Sequence, residues 1–588
     1  MKINNKVKNN MFDGVLIADK GSAKKFFHML WKGRLPYLWI AAYIALSVFL
    51  VKIGINVTEY SAKMFAGNVS FVGVIIPFLI YTFVNMIIGT ISSIVSNICI
   101  ARISRNLMRT LWKKIVYIPM KYYTQNQPKE LLSRITTDTS VIGTLIMNVF
   151  IQAITSSYML YATFAKIGTY NKNLMFSLIA VCPIIILIAF VMGKLNFGIN
   201  DTVNRKNAEL TRNIAEKVDN ILLIKSFGTE NKEAANGIEK MRDLYHFRVK
   251  NNWIRNLGNP IYAVAGALQF IFVIMVGRGF YSNGTLTLAQ WVAYFAFSTS
   301  VVNTLSSYSG NWVTFKASQG ATKRVANIIA EQNESRGTNE LAENISGNIE
   351  FHNVDFNLGQ SYIFKNLNLS IPEGKTTLII GKSGSGKTSM LNLIDHLYEL
   401  DNGKITIGDI DINDFNMKSY RENICYVTQE SMMFSGTIRE NILLGVKHKV
   451  TDEEIDYACK EAGAYDFIHK FAEKYDTQVG ESGSKLSGGQ KQRIAVARVI
   501  LKKPKYLLMD EGISAMDIKS KVHALEVMKK VMKGKTTVFV SHDIQNVIEA
   551  DYIIVLEKGN VIDAGTHKEL FSRCKYYQQF VNGKEVKL

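Results

Sequence analysis

Six long stretches in the first half of the chain contain no Asp, Glu, Lys or Arg, and they restrict what the sequence can fold into. They are residues 35–51, 64–101, 139–165, 173–193, 256–277 and 279–315. A helix needs about 20 residues to cross the hydrocarbon core of a bilayer, and an ionised side chain at mid-membrane costs roughly 2.5–3.5 kcal/mol. Any one stretch could be a buried helix of a soluble protein, but six in series favour membrane crossings.

We therefore predict an α-helical polytopic membrane domain over residues 36–315, followed by a soluble domain over 346–588. A cytoplasmic segment, 1–35, precedes it, and a linker poor in apolar runs, 316–345, joins the two domains. The first span reaches residue 57 because Lys52 can extend its ammonium to the interface. The six predicted spans are 36–57, 71–100, 140–165, 173–194, 257–280 and 287–315.

The positive charge of the chain is concentrated in the membrane half. The net charge is +20, with 34 Lys and Arg against 13 Asp and Glu in residues 1–320, and 35 against 36 in residues 321–588. Such a distribution is typical of cytoplasmic loops beside spans and not of a soluble nucleic-acid groove, so no nucleic-acid partner is expected. The basic residues cluster before the first span, in 102–134 and in 194–255, which predicts cytoplasmic N- and C-termini. No cleaved leader is expected, because the first apolar run starts only at about residue 35 and shows no small-residue cleavage site.

Those two basic loops are too long to be turns. Both carry apolar residues at helical spacing, which predicts that the helices continue well below the membrane, with breaks at Pro128 and Gly228. The five cysteines are scattered without paired spacing, so neither a disulfide framework nor a metal site is predicted from them.

The soluble half contains a phosphate-binding sequence pattern between a predicted strand and a predicted helix, which is where such a loop is found. The segment TLIIGKSGSGKTSMLNLI is an apolar strand, a glycine-rich turn and an apolar helix. In a G-x-x-x-x-G-K-T loop the backbone amides surround phosphates, the lysine reaches the β- and γ-phosphates, and the threonine hydroxyl binds Mg²⁺. ATP and Mg²⁺ are the predicted ligands, and the predicted contacts are Gly381, Lys382, Ser383, Gly384, Ser385, Gly386, Lys387, Thr388 and Ser389.

Two further strands deliver candidate catalytic residues. YLLMDEG ends in Asp510, suited to hold magnesium, and Glu511, which can accept a proton from attacking water; an ordinary acidic pair at a strand end is the alternative. TTVFVSHD delivers His542, which could contact a γ-phosphate, although a lone histidine is more often structural.

In this order, the motifs resemble those of the ATP-binding cassette (ABC) exporters, in which six spans precede one cassette. The resemblance covers nearly the whole chain beyond about residue 35. The resemblance rests on six motifs, namely the Walker A loop GKSGSGKT (381–388), Gln429 in YVTQE, the signature LSGGQ (486–490), the Walker B segment LLMDE (507–511), the D-loop-like SAMD (514–517) and His542. The implied fold of the soluble half is an α/β P-loop NTPase domain of the ABC type. The implied roles are magnesium binding for Thr388, Gln429 and Asp510, and catalysis for Glu511, His542 and Gln429.

The resemblance also implies that two chains share each nucleotide. The signature residues Leu486, Ser487, Gly488, Gly489 and Gln490 would complete the site of a second copy, so a homodimer is expected, with a heterodimer as an alternative. The chain departs from the family at Leu358, which replaces an aromatic residue that stacks on adenine. Tyr362 is the candidate substitute.

The function implied is ATP-driven export by alternating access across a plasma (inner) membrane, and the Lys-, Asn- and Ile-rich composition suggests a bacterial source. The substrate stays open among amphipathic drugs, lipids and peptides, with membrane lipids as further partners. The alternative is a non-transporting ABC membrane protein, such as a nucleotide-gated channel or a sensor subunit.

Overall fold

The computed structural model describes residues 25, 28–65, 71–126, 128–334, 345–359, 361–510, 532–541 and 550–582. The chain forms two compact units, one built from Met1–Ile118 and Gln125–Gln332 and the other from Pro119–Thr124 and Asn333–Leu588. Most of the predicted N-terminal segment and residues 335–344 of the predicted linker lie outside the described residues.

Long helices make up the first unit, because its apolar runs satisfy their backbone hydrogen bonds locally. Short π-helical segments at Phe71–Ile75, Arg134–Asp138 and Ile146–Ile151 adjoin them. Among the described residues between 37 and 330, the α-helices are α1 (Tyr37–Met64), α2 (Ile76–Ile115), α3 (Met120–Gln125), α4 (Pro128–Ser133), α5 (Thr139–Leu145), α6 (Gln152–Tyr170), α7 (Lys172–Asp219), α8 (Ile221–Ser226), α9 (Glu230–Ser282) and α10 (Leu288–Ala330). Of these, α3 belongs to the second unit up to Thr124.

Within the described residues, five helical segments are long and apolar enough to cross a membrane. They are Tyr37–Met64, Val72–Ile115, Glu130–Tyr170, Lys172–Asp219 and Ala263–Ser282. The sixth predicted crossing falls in α10, which is helical over 43 residues but rich in Ser and Thr, and it stays a prediction. Its inward side chains, such as Tyr294 and Phe297, are buried.

Two loops predicted to continue as helices do so, which confirms that part of the sequence analysis. Helix α2 continues to Ile115 in the first loop, and α7 and α9 continue through the second loop, to Asp219 and from Glu230. The second break falls as expected at Gly228, whose positive φ of 60° favours glycine. The first break lies between α3 and α4, and α4 begins at Pro128. Proline is favourable there because the N–H of a first helical residue has no partner within the helix.

Polar side chains join the helices of the first unit to one another. The amide of Gln269 donates to Ser298 Oγ at 2.5 Å between α9 and α10, and Ser177 Oγ lies 3.0 Å from Tyr294 Oη between α7 and α10. Arg324 donates two hydrogen bonds of 2.8 Å to the buried carboxylate of Asp138. These contacts hold α10 against its neighbours.

The second unit contains two sheets whose strands follow from short β-branched runs. A four-stranded antiparallel sheet has the order β2-β1-β4-β5, and a six-stranded sheet has the order β10-β9-β3-β8-β7-β6. Among the described strands of the larger sheet, the β10–β9 pairing is antiparallel and the others are parallel. The strands are β1 (Ile349–Asn357), β2 (Tyr362–Ile371), β3 (Thr376–Ile380), β4 (Asn402–Ile407), β5 (Ile410–Asp411), β6 (Ile424–Val427), β7 (Tyr506–Asp510), β8 (Thr536–Val540), β9 (Tyr552–Glu557) and β10 (Asn560–Gly565).

Helices cover this larger sheet and divide the unit into separate hydrophobic cores. One core joins residues of both sheets to α11, and a second joins α13, α14 and α16 to β7. The helices are α11 (Lys387–Ile394), α12 (Met417–Asn423), α13 (Ile438–Ile442), α14 (Asp452–Glu461), α15 (Tyr465–His469), α16 (Gly488–Lys502), α17 (His567–Arg573) and α18 (Lys575–Val581).

Candidate nucleotide site

The glycine-rich loop Gly381–Gly386 connects β3 to α11 in a space that side chains would fill. A Cβ at Gly386 would lie 2.8 Å from the Phe364 ring, and its φ of 104° is left-handed. A Cβ at Gly381 would overlap the carbonyl oxygen of Leu556 and approach Ser385 Oγ. Glycine is therefore required here, and the backbone can wrap closely around a ligand.

Lys387 lies inside this loop. It is the first residue of α11 and is 8% exposed. Its ammonium donates hydrogen bonds of 2.9 Å to the carbonyl oxygens of Gly381 and Lys382. The charge is thus held at the helix N-terminus, where anions are already favoured.

The hydroxyl of Ser385 indicates that the glycine-rich loop binds a ligand. Ser385 is 3% exposed, and its Oγ has no hydrogen-bond partner among the described residues. A buried hydroxyl without a partner costs free energy, which a phosphate oxygen would recover. Three residues of the loop are exposed, Lys382, Ser383 and Gly384. On α11, Thr388 is exposed and Ser389 is partly buried.

Parallel strand pairing brings the other motifs to the edge where this loop begins. Ile379 of β3 pairs with Val540 of β8, which in turn pairs with Asp510 of β7. On the far side of β7, Met509 pairs with Val427 of β6, two residues before the exposed Gln429. The carboxyl ends of parallel strands are where α/β sheets bind ligands.

The sequence analysis missed one residue beside Asp510. The Asp510 carboxylate is 7% exposed, and it lies near the phenol of Tyr426 on the neighbouring strand β6. Burial raises the pKa of Tyr426, and the negative charge of Asp510 raises it further, so the phenol stays a proton donor. The signal was available: Tyr426 stands three residues before Gln429, on the strand that neighbours β7.

The signature segment caps a helix in the other core of this unit. Leu486 is buried in that core, and the exposed Ser487 is the N-cap of α16. Its Oγ accepts from the Gln490 amide at 3.3 Å, while Gln490 Oε1 accepts from the Ser487 amide at 2.9 Å. The exposed Gly488 and partly buried Gly489 follow, so this helix end can receive an anion without steric hindrance from side chains.

The hairpin end between β1 and β2 lies beside the phosphate loop. Ile363 and Phe364 of β2 are the side chains that a Cβ at Gly386 would meet, and Tyr362 precedes them with 60% exposure. Leu358 is 39% exposed at the same end. An aromatic ring is thus available near the loop.

Glu511, His542 and the SAMD segment lie outside the described residues. In the sequence, Glu511 directly follows β7, and the SAMD segment begins a few residues later. His542 lies shortly after the end of β8. The structure therefore brings together the Walker A loop, Asp510 and Gln429, and it places the signature in a different core.

Comparison with known proteins supports this architecture. Residues 37–305 match the family model described as "ABC transporter transmembrane region", and residues 364–514 match the model "ABC transporter". The chain is 30% identical over 488 residues to a "Putative multidrug export ATP-binding/permease protein YgaD" of Bacillus subtilis, covering 81% of this chain and 83% of that protein.

Other relatives differ in length and in the function for which they are named. Over 501 residues the chain is 28% identical to an "ATP-dependent lipid A-core flippase" of Haemophilus influenzae, covering 84% of this chain and 85% of the relative. It is 29% identical to a "Serine protease/ABC transporter B family protein tagA" of Dictyostelium discoideum, covering 97% of this chain but only 33% of that longer protein.

A solved structure has the same fold. A bacterial Atm1-family ABC exporter with ATP bound superposes with a TM-score of 0.79 at 22% identity, covering 94% of this chain and 100% of that chain.

Replacing Gly381 by Ala should abolish the nucleotide cradle. The new Cβ would overlap the Leu556 carbonyl, so the loop must shift, and we expect at least about tenfold weaker binding of a fluorescent ATP analogue, or about 1.4 kcal/mol. Gly374→Ala is the control, because Gly374 also has a positive φ, 67°, but open space around its Cβ position. Equal binding by the Gly381 variant and wild type would contradict the assignment of the loop.

Proposed function

This chain belongs to the ABC transporter family, and from that premise we propose that it exports an amphipathic drug, lipid or peptide from a bacterial cell. The energy source is ATP hydrolysis in the second unit. The observation that carries the proposal is the common sheet edge from which the phosphate loop, Asp510 and the Gln429 segment all emerge. The relatives named as a multidrug exporter and a lipid flippase support the substrate class.

The nucleotide contacts are assigned from the placement of the loop. The phosphates lie in the Gly381–Gly386 cradle, with Lys387 offsetting their charge and Thr388 and Ser389 beside them. Magnesium fits the site because Thr388, Gln429 and Asp510 offer oxygen donors, which this ion prefers. When bound, it neutralises charge on the phosphates.

Glu511 and His542 complete the chemistry. Glu511 follows Asp510 and accepts a proton from the attacking water, while His542 follows β8 and donates to the γ-phosphate. Gln429, two residues after β6, acts beside them as a ligand of the magnesium ion.

A second copy of the chain supplies the other half of each site. Ser487 and the amides of Gly488 and Gly489 form an anion-receptive end of α16. That helix packs in a different core from α11, the helix that follows the phosphate loop of the same chain. Two identical chains facing each other place each signature over the partner's loop, which gives two sandwiched ATP molecules.

The transport cycle follows from this shared binding. ATP contacts both chains only when the cassettes meet, so it favours the closed state by the free energy of the second set of contacts. Hydrolysis removes that preference and the cassettes part. Segments near 122–131 and 208–216 pass the movement to the spans.

The membrane placement rests on charge. The membrane domain spans residues 36–315 with six crossings, and the nucleotide-binding domain covers 346–588. Both termini lie in the cytoplasm because the basic segments flank that side. The membrane is the plasma membrane.

If the chain transports a cargo, that cargo should stimulate ATP hydrolysis, and the hydrolysis should depend on Glu511. In nanodiscs, at least one member of a panel of lipids, peptides and dyes should stimulate phosphate release by wild type. Glu511→Gln should reduce that rate about 100-fold, because general-base catalysis is lost, whereas Glu399→Gln, at an exposed carboxylate, should not. No stimulation by any cargo, together with an unchanged rate in Glu511→Gln, would favour the non-transporting alternative.

We assign adenine stacking to Tyr362. Loss of a base–aromatic stack costs about 1–3 kcal/mol, so Tyr362→Ala should raise the KM for ATP about tenfold with little change in kcat. Tyr457→Ala, at a ring that is also largely exposed, 63%, serves as the control. An unchanged KM would remove Tyr362 from the nucleotide contacts.

A further inference from the structure

The chain enters α1 through a basic turn, which we define as Lys32, Gly33 and Arg34. The turn follows a helical segment at 28–32 and packs against α2, because a Cβ at Gly33 would lie 2.7 Å from Leu107 Cδ2. Arg34 has a left-handed φ of 47°, which is uncommon for a residue other than glycine. Lys32 and Arg34 are both exposed. Two cations are thus held at a defined place beside the start of the first span.

Helix α2 contacts this turn through backbone carbonyl groups and adds a third cation. Asn106 Nδ2 donates to the Arg34 carbonyl oxygen at 2.7 Å, and Thr110 Oγ1 donates to the Lys32 carbonyl oxygen at 3.4 Å. Asn106 Oδ1 also accepts hydrogen bonds of 3.4 and 3.1 Å from the guanidinium of Arg105. Asn106 therefore places the exposed Arg105 beside the turn. We refer to Lys32, Arg34 and Arg105 as the basic cluster.

The positive charge of the basic cluster is not neutralised within the part of the chain that the structure describes. None of its three cations forms a salt bridge with a described carboxylate, and the guanidinium of Arg105 contacts the neutral amide of Asn106 instead. From residue 20 to residue 129 the sequence contains a single acidic residue, Glu59, near the far end of α1. Like charges held close together repel each other, so an anion from outside the chain would stabilise the cluster.

Large apolar side chains flank the basic cluster at the start of α1. Trp31, Tyr37 and Leu38 are largely exposed. The ring of Trp39 lies 4.3 Å from the guanidinium carbon of Arg102, so aromatic and cationic groups alternate here. Trp and Tyr are enriched at the level of lipid headgroups, where one end of the side chain is apolar and the other is wet. A lipid matches both the charge and the apolar surface, whereas a soluble anion matches only the charge.

We propose that the basic cluster binds the phosphate group of an anionic phospholipid, whose acyl chains lie along the exposed side chains at the start of α1. The inference rests on the proposed function only for the cytoplasmic placement of these segments, where anionic lipids attract basic residues. The bound headgroup connects the basic turn to α2, because guanidinium groups form charge-assisted hydrogen bonds with phosphate. The competing explanation is a hydrated basic surface without a lipid site.

Photo-cross-linking in the full-length protein tests this lipid site. The photo-reactive residue p-benzoylphenylalanine replaces Tyr37 in one protein and Phe83, an exposed ring inside the predicted span 71–100, in a second. Both proteins are placed in nanodiscs of phosphatidylglycerol and phosphatidylcholine, and mass spectrometry identifies the captured lipids. Position 37 should capture phosphatidylglycerol in at least about fivefold excess over the ratio at position 83, as expected for a basic residue near anionic headgroups.

Charge removal at the turn should abolish that excess. Lys32→Gln combined with Arg34→Gln should reduce it below about twofold, because two attractive charges are lost. The matched control combines Lys232→Gln with Arg242→Gln, which removes the same charge from exposed positions of α9. Arg242 lies about 22 Å along the helix from the predicted span at 257–280, so the control should keep the full excess.

Arg105→Gln is a second variant, which leaves the sequence of the turn unchanged and should also reduce the excess. The proposal is overturned if positions 37 and 83 capture the two lipids in the same ratio, or if the excess persists in either folded variant. An excess that inorganic phosphate removes, at an ionic strength matched with chloride, would assign the cluster to a free anion and also overturn the lipid site. The measurement needs neither ATP nor cargo, so a lack of cargo-stimulated hydrolysis with an intact lipid excess would contradict the export function alone.

Discussion

Parallel pairing of β3, β8 and β7 is the constraint on which the nucleotide site depends. Because Ile379, Val540 and Asp510 stand in register across three neighbouring strands, the phosphate loop and the Walker B carboxylate leave the sheet at the same edge. β3 and β7 are buried apolar runs, as is typical of parallel strands that are covered on both faces. The phosphate loop and Asp510 therefore lie close together because the strands that carry them are parallel neighbours in one sheet.

The same unit keeps its two anion-receptive elements in separate cores. The helix that begins at Lys387 packs with both sheets, whereas the helix capped by Ser487 packs with α13 and α14. A chain organised in this way can bind the phosphates with one element and present the other to a partner. Under the proposed sharing of ATP between two copies, nucleotide binding would be linked to assembly, and hydrolysis to separation.

Sequence patterns predicted the parts of this protein that depend on local chemistry. Charge-free runs predicted membrane-length helices, and the glycine spacing predicted a cradle that Gly386 and Lys387 form. They could not predict Tyr426 beside Asp510 or Arg421 beside Glu334, because those contacts join residues distant in sequence through tertiary packing. The Ser- and Thr-rich α10 shows a related limit, since hydropathy does not report which of its faces is buried.

Disulfide cross-linking tests the shared nucleotide site most directly. In a background with the five native cysteines replaced, Ser383→Cys and Ser487→Cys should join two chains when ATP is added to Glu511→Gln protein, because the loop of one copy then faces the signature of the other. Each single substitution should give no such product. If the doubly substituted chain stays monomeric on a denaturing gel under every nucleotide condition, ATP is not held between two copies and the account is wrong.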